Sequence, residues 1–215
     1  MKIGLFDSGI GGTTTMAEIK KLLPEAEYIF IADSKNCPYG EKTDEVLWPI
    51  VCHNVDELIN QNVDLIVIAC NTVTTRYADR LRKTYPKMRF VGTEPAVKVA
   101  CKIGVRKILV MATPATVASE RTSLLVDENR SEGQEVRLIG CNGLANAIES
   151  KNEEMICRVL DDCLSGVDRD YEAVVLGCTH YPLIRDEIQK RFVGAKLIDG
   201  NDGVARQVSR FFGLL

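Results

Sequence analysis

Two of the eight cysteines of this chain stand where a buried strand is expected to end. Cys70 follows an apolar run directly, Cys178 follows the run Ala173–Leu176, and small polar residues come immediately after each thiol. The carboxyl end of a strand in an open parallel sheet is the edge where ligands bind, whereas a cysteine that only packs would fall inside the run. Two thiols facing one cleft could take a proton from one face of a carbon centre and return one to the other. The spacing therefore predicts Cys70 and Cys178 as paired acid/base groups.

The neighbours of these thiols suit proton transfer. A thiol has a reference pKa of about 8.5 that its surroundings can shift, so one thiol could begin as the thiolate and the other in the protonated form. His180 follows Cys178 closely and could support it, and Asp7 could serve Cys70 if the two strand ends are neighbours. The alternative is that both cysteines are inert core residues, and spacing alone does not exclude it.

A glycine-rich turn, residues 7–13, joins the first predicted strand to the first predicted helix. It lacks the Gly-Lys-Ser/Thr ending of a nucleotide-binding loop and does not fit Gly-x-Gly-x-x-Gly, so it is a weak signal for a phosphate. Its backbone amides at a helix start would still attract a carboxylate. A tight turn without a ligand is the other interpretation.

The loop Cys37-Pro38-Tyr39-Gly40 follows the second predicted strand and could present backbone amides and a tyrosine hydroxyl, although an ordinary turn would need no ligand.

The chain has no Cys-x-x-Cys pair and only two histidines, so we expect no metal site. Glu149 ends a helical segment, and the pattern alone predicts a solvated side chain. The cysteines without a strand-end context are interpreted as packing residues: Cys37, Cys52, Cys101, Cys141, Cys157 and Cys163.

Short apolar runs alternate with amphipathic segments along the whole chain, which predicts an α/β fold with largely parallel sheets. Strands are predicted at Lys2–Phe6, Tyr28–Ala32, Leu65–Ala69, Arg89–Gly92, Lys107–Met111, Val136–Ile139, Ala173–Leu176 and Ala195–Ile198. Helices are predicted at Thr14–Leu23, Glu45–Asn60, Thr75–Lys83, Ala96–Ile103, Ala118–Glu128, Glu153–Leu164 and Ile184–Arg191.

The pattern also repeats about halfway along the chain. The run Lys2–Phe6 is echoed at Lys107–Met111, and residues 64–72 are echoed at 172–180, in the same order. Two echoes at nearly one offset indicate a duplicated α/β half. We therefore expect two pseudo-symmetric open-sheet α/β domains with the active site in the cleft between them. The first would comprise residues 1–94 plus 198–215, and the second residues 95–197.

Composition argues against several function classes. The formal net charge is −3 and no window concentrates basic residues, so no nucleic-acid or membrane partner is expected. No apolar run approaches the length of a membrane span, and the residues before the glycine-rich turn do not form a signal peptide. A cytoplasmic location is the expectation, and disulfides are then not expected.

Four stretches of the sequence resemble, in order, the cofactor-independent aspartate/glutamate racemase family: Phe6–Gly12, Pro38–Gly40, Ala69–Thr72 and Leu176–Leu183. The tail from Lys196 is also similar to the closing strand and helix of that family. The Ala-Cys-Asn-Thr and Gly-Cys-Thr-His-Tyr-Pro blocks together are highly specific. The chain departs from the family at Val73-Thr74, where Ala-Ser is commoner, and at Cys37, where a larger residue is usual. It also ends early by family standards, which bears on surface and assembly more than on chemistry.

The resemblance implies interconversion of L- and D-glutamate without a cofactor or a metal. Cys70 and Cys178 would each serve one enantiomer, and Asp7 and His180 would assist the thiols. The implied substrate contacts are Asp7, Ser8, Pro38, Tyr39, Gly40, Asn71, Thr72, Thr179 and His180, with Thr116 and Glu149 matched less closely. The resemblance also suggests a homodimer and a role in supplying D-glutamate for peptidoglycan.

Two alternatives to glutamate racemisation stay open at this point. One is a racemase of aspartate or a related small acidic compound, although the Thr-His-Tyr-Pro sequence after Cys178 favours glutamate. The other is a non-catalytic binding protein of the same fold, against which the presence of both cysteines with Asp7 and His180 argues.

Overall fold

The computed structural model describes residues 1–214, which form two parallel sheets of four strands each. The strands are β1 (Lys2–Asp7), β2 (Glu27–Ala32), β3 (Leu65–Ile68), β4 (Phe90–Gly92), β5 (Lys107–Ala112), β6 (Glu135–Gly140), β7 (Ala173–Leu176) and β8 (Lys196–Ile198). The helices are α1 (Gly12–Leu22), α2 (Asp44–Asn60), α3 (Asn71–Thr84), α4 (Val97–Lys102), α5 (Pro114–Val117), α6 (Glu120–Asn129), α7 (Leu144–Glu149), α8 (Glu153–Cys163), α9 (Arg185–Arg191) and α10 (Asn201–Phe211). Short 3₁₀ turns lie at Ser34–Asn36, Tyr39–Glu41 and Tyr181–Ile184.

The two sheets have the same topology. Their strand orders are β2-β1-β3-β4 and β6-β5-β7-β8, and all pairs are parallel. The registers also correspond, since Ile3 lies opposite Leu65 in the first sheet and Ile108 lies opposite Ala173 in the second. The predicted α/β fold with two open parallel sheets is confirmed.

Each sheet is covered by helices on both faces, which explains why its central strands are continuous apolar runs. In the first sheet one face packs against α2 and α3, and the other packs against α1 and α10. In the second sheet one face packs against α7, α8 and α9, and the other against α4 and α6. The side chains of β3 and of β7 are all buried. These central strands therefore hold the residues that follow them in fixed places.

The chain passes from the first sheet to the second after β4 and returns after β8. Strand β8 pairs with β7 in the second sheet, whereas α10 packs beside α1 on the first sheet. The Thr15 hydroxyl of α1 donates to Asn201 Oδ1 of α10 at 2.7 Å. On this arrangement we propose the domain division 1–94 plus 198–215 and 95–197. Leu215 lies outside the described residues.

Helix α3 begins at Asn71, four residues earlier than predicted. The segment between Cys70 and Thr75 is rich in polar and β-branched residues with low helix propensity, which is why the pattern placed the start later. The early start brings the amides of the first turn of α3 directly behind Cys70. Within residues 1–214, no helix is both long enough and apolar enough to cross a bilayer.

Candidate active site

Cys70 and Cys178 lie at equivalent strand ends in the two sheets. Cys70 comes just after β3 at the start of α3, and Cys178 comes just after β7. Both are buried, with 5% and 6% of their surface exposed. A thiolate at Cys178 would raise the pKa of Cys70, so the two thiols are near enough to interact electrostatically. The site is therefore assembled at the carboxyl edges of both sheets.

Cys70 is surrounded by neutral hydrogen-bonding groups. Its Sγ donates to Ser8 Oγ at 3.9 Å, and the backbone amide of Val73 in the first turn of α3 donates to the sulfur. Burial raises the pKa of the Cys70 thiol well above its usual range, and the charge of Asp7 raises it further. The Val73 amide and Ser8 offset only part of this effect. The surroundings of Cys70 therefore favour the thiol over the thiolate.

Cys178 lies beside a histidine that is itself paired with a carboxylate. His180 Nδ1 lies 3.7 Å from Cys178 Sγ, and His180 Nε2 lies 2.5 Å from Glu149 Oε1. Burial alone would lower the pKa of His180, but the hydrogen bonds with Cys178 and Glu149 raise it from 6.5 to about 11. The imidazole is therefore cationic at neutral pH, and it is placed to exchange a proton with Cys178.

The Glu149 side chain reaches from the second domain to the first. Its Oε1 accepts from the backbone amide of Ile10 at 2.7 Å, and its Oε2 accepts from the Ser34 hydroxyl at 3.0 Å. Burial would raise the pKa of Glu149, but the bonds from His180 and Ile10 lower it below its ordinary value. The expectation of a solvated side chain was wrong, since only 15% of it is exposed. Helical pattern cannot show that the end of α7 meets the opposite domain.

Asp7 is fully buried and is tied to the Cys178 side of the site. Its Oδ2 accepts from the Gly12 amide at 2.9 Å, and the Thr179 hydroxyl donates to both of its oxygens at 3.1 and 3.2 Å. Burial raises the pKa of Asp7. Sequence reasoning paired Asp7 with Cys70, but its hydrogen bonds run to the residue that follows Cys178.

Three threonine hydroxyls meet across the two domains. Thr72 Oγ1 lies 3.0 Å from Thr113 Oγ1 and 3.2 Å from Thr116 Oγ1, and the Thr113 hydroxyl donates to Thr116 at 3.0 Å. The structure thus brings Thr72 and Thr116 together. Sequence reasoning did not single out Thr113, although its place just after β5 matches that of Ser8 just after β1.

Two glycines in the turn after β1 allow the domains to approach closely. A Cβ atom at Gly9 would lie 1.9 Å from Glu149 Oε1, and one at Gly11 would lie 2.7 Å from the backbone nitrogen of His180. A side chain at Gly11 would meet the backbone of the second domain, and one at Gly9 would displace the Glu149 carboxylate. The amides of this turn do bind carboxylates, as the sequence suggested, and here those carboxylates belong to Asp7 and Glu149.

The Pro38–Gly40 loop lies at one end of the cleft, next to residues of the second domain. The Tyr39 hydroxyl donates to Asp33 Oδ2 at 2.6 Å and accepts from Asn54 Nδ2 at 2.8 Å, so it is already engaged within the first domain. Gly40 lies against Thr113, and Pro38 lines a small cavity at the same end of the cleft. The Tyr39 hydroxyl thus already has protein partners, and a contact between this loop and a substrate stays a prediction.

Asn71 presents a polar atom that the protein leaves free. Among residues 1–214, its Oδ1 is buried and has no hydrogen-bond partner. A buried amide oxygen without a partner costs roughly 1–3 kcal/mol, so such an atom is ready to accept from a ligand. An ammonium group is one donor that would satisfy it.

Cys37 belongs to the cleft, so its interpretation as a packing residue was wrong. Its Sγ, a ring nitrogen of His180 and a carboxylate oxygen of Glu149 all lie within 4.8 Å of one another. Burial, together with the nearby charge of Glu149, raises the pKa of Cys37 to about 12. The loop after β2 carries Cys37 to the strand ends because β2 is the neighbour of β1 in the sheet.

These observations agree with a comparison against known protein families. The model of the Asp/Glu/hydantoin racemase family matches residues 12–208. The chain belongs to this family. A glutamate racemase from Clostridium perfringens strain SM101 is 39% identical over 214 residues, which cover 97% of this chain and 82% of that protein.

Solved structures of this family show the same architecture. A glutamate racemase from Escherichia coli, in complex with L-glutamate and the activator UDP-MurNAc-Ala, matches with a TM-score of 0.89 at 28% identity, over 99% of this chain and 82% of that one. The Francisella tularensis enzyme in complex with D-glutamate matches with a TM-score of 0.83 at 29% identity, over 99% of this chain and 81% of that one. The fold is therefore that of two-domain amino-acid racemases.

Proposed function

We propose that this protein is a glutamate racemase that works without a cofactor. The observation that carries the proposal is the pair of buried thiols at equivalent strand ends, one beside neutral donors and one beside a cationic histidine. Membership of the racemase family and 39% identity to a glutamate racemase support it. The substrate is a small amino acid, and no nucleic-acid or membrane partner enters the proposal.

In the proposed reaction the thiols act from opposite faces of the α-carbon. One thiolate takes the α-proton and becomes a thiol, and the electron pair left on carbon is delocalised into the α-carboxylate. The other thiol then gives its proton to the opposite face and becomes the thiolate. His180 would exchange a proton with Cys178, while Cys70 is the group that starts protonated.

The polar groups around the thiols suit an acidic amino acid. Asn71 Oδ1 would accept from the α-ammonium, together with Asp7. Hydroxyls and backbone amides would bind the two carboxylates, and they would also stabilise the extra charge that develops on the α-carboxylate as the proton leaves. These donors are Ser8, Gly40, Thr72, Thr116 and Thr179.

Substrate entry requires the cleft to open. Glu149 occupies the space between the domains and is hydrogen-bonded to Ile10 and Ser34, while both thiols are buried. We infer that the described state is closed, and that opening separates Glu149 from the glycine-rich turn. Reclosure would then exclude water from the reacting groups.

Location and assembly complete the proposal. A cytoplasmic homodimer supplying D-glutamate for peptidoglycan is the role suggested by the family resemblance. Sedimentation of the purified chain tests the assembly, since a monomer at every concentration would contradict the dimer.

Deuterium exchange tests the chemistry directly. Each glutamate enantiomer is incubated separately with the protein in heavy water, and deuterium at the α-carbon is measured alongside the appearance of the opposite enantiomer. We expect both enantiomers to be converted, with deuterium entering the product. Conversion of aspartate but not glutamate would support the alternative substrate, and no exchange with either amino acid would support a binding protein.

A further inference from the structure

Cys37, Glu149 and His180 bring three metal-binding atoms together outside the proposed proton-transfer pair. The Cys37 sulfur, a carboxylate oxygen and an imidazole nitrogen all lie within 4.8 Å of one another. Zinc forms bonds of about 2.0–2.3 Å to such donors, so it joins atoms about 3–4 Å apart, and small side-chain rotations would bring this set into range. From this geometry we propose that the closed cleft is a site for Zn²⁺ or a similar soft divalent ion, whose binding blocks the reaction.

The chemistry of the three donors selects the class of metal. A thiolate and an imidazole favour Zn²⁺ and disfavour Mg²⁺ and Ca²⁺, which take oxygen ligands almost exclusively. Three protein ligands are also the number that zinc takes where a water molecule completes its coordination. On binding, the Cys37 thiol and the His180 imidazolium release their protons to solvent, and the ion replaces the hydrogen bond between His180 and Glu149.

The position of the ion explains why it would inhibit. Cys37 belongs to the first domain, whereas Glu149 and His180 belong to the second, so one ion would tie the domains together. The same ion would occupy the imidazole that lies 3.7 Å from Cys178 and remove it from proton exchange. The bound metal would therefore hold the cleft closed and disable the Cys178 side.

Cobalt substitution tests binding without relying on activity. Co²⁺ is added to the unaltered 215-residue chain, and the thiolate-to-cobalt charge-transfer absorption is followed. We expect one equivalent to bind, and the absorption to be lost in Cys37→Val but kept in Cys52→Val, a half-buried thiol on α2 outside the cleft. Glu149→Gln is the second variant, and it should weaken Co²⁺ binding even if Cys37→Val folds poorly. Equal absorption in wild type and Cys37→Val, or none in wild type, would overturn the site.

A second measurement tests inhibition and rests on the proposed racemase function. Zn²⁺ should slow glutamate conversion by wild type, a chelator should restore it, and Mg²⁺ should have no effect. In Cys37→Val, the Zn²⁺ concentration for half-inhibition should rise at least about tenfold. Equal sensitivity of wild type and Cys37→Val would show that the ion acts through another thiol. If the protein does not racemise glutamate at all, the cobalt result still decides whether the site exists.

Discussion

The two thiols occupy equivalent places in two copies of one sheet, but their surroundings differ in charge. Two residues after Cys70 stands Thr72, which meets two neutral threonine hydroxyls of the other domain. Two residues after Cys178 stands His180, which forms a buried ion pair with Glu149. The shared topology of the two sheets therefore accounts for the equivalent positions of the thiols, whereas their different neighbours set the charge around each one.

This difference matters because the proposed inversion at carbon needs one acid and one base at any one moment. One group must be ready to accept the α-proton while the other is ready to donate one. Burial and the charge of Asp7 favour the protonated form of Cys70, whereas the cationic His180 places a positive charge beside the Cys178 sulfur. A symmetric scaffold with asymmetric neighbours meets both requirements.

Removing either sulfur should have the largest effect. Cys70→Ser and Cys178→Ser should each reduce kcat for glutamate conversion by roughly 10³-fold or more, because a serine hydroxyl is a far weaker acid than a thiol. Each variant should retain α-hydrogen exchange from one enantiomer, and the two should retain opposite ones. Deuterium incorporation from each pure enantiomer measures this. Full activity in either variant would contradict the proposed roles of the two thiols. Exchange from the same enantiomer in both variants would contradict them as well.

Substituting His180, the residue that distinguishes the Cys178 side from the Cys70 side, should have the next largest effect on kcat. His180→Asn should reduce kcat by about 10²-fold, more in the direction that uses Cys178 as base. Thr72→Ala, at the equivalent position, should change kcat far less, because it holds no charge beside its thiol. Measuring kcat in both directions for each variant checks this. Equal losses in the two variants would mean that the charged pair has no special role.

Strand positions, and with them the thiols, could be predicted because buried parallel strands are continuous apolar runs with polar residues at their exits. Cys70 and Cys178 were found in this way, and the internal repeat indicated two similar sheets. Contacts between domains could not be predicted by the same means. Glu149 ends an ordinary helix, and Cys37 sits in an ordinary loop. Their roles come from how close the domains lie at Gly9 and Gly11, which no periodicity encodes.

Neutralising the Glu149 carboxylate should reduce kcat less than removing His180 does. Glu149→Gln keeps the size of the side chain but removes the charge that helps to raise the pKa of His180. The pKa of His180 should fall toward its ordinary value, and kcat should fall by roughly tenfold. Titration of the imidazole by NMR, together with kcat, checks both. An unchanged His180 titration would show that the hydrogen bond to Glu149 does not hold the imidazole in its cationic form.

Removing one hydroxyl from the threonine cluster near Cys70 should have the smallest effect. Thr116→Val preserves the shape of the side chain but removes one hydroxyl from the cluster that joins Thr72 and Thr113. Because this cluster is proposed to bind a substrate carboxylate, KM should rise about three- to tenfold, while kcat changes little. Thr122→Val is the matched control, since Thr122 is equally buried but bonds to Ser119 outside the cleft. It should cost about 1 kcal/mol of unfolding free energy and leave KM unchanged. A loss of kcat in Thr116→Val as large as that in His180→Asn would mean that both sides of the site take part equally in proton transfer.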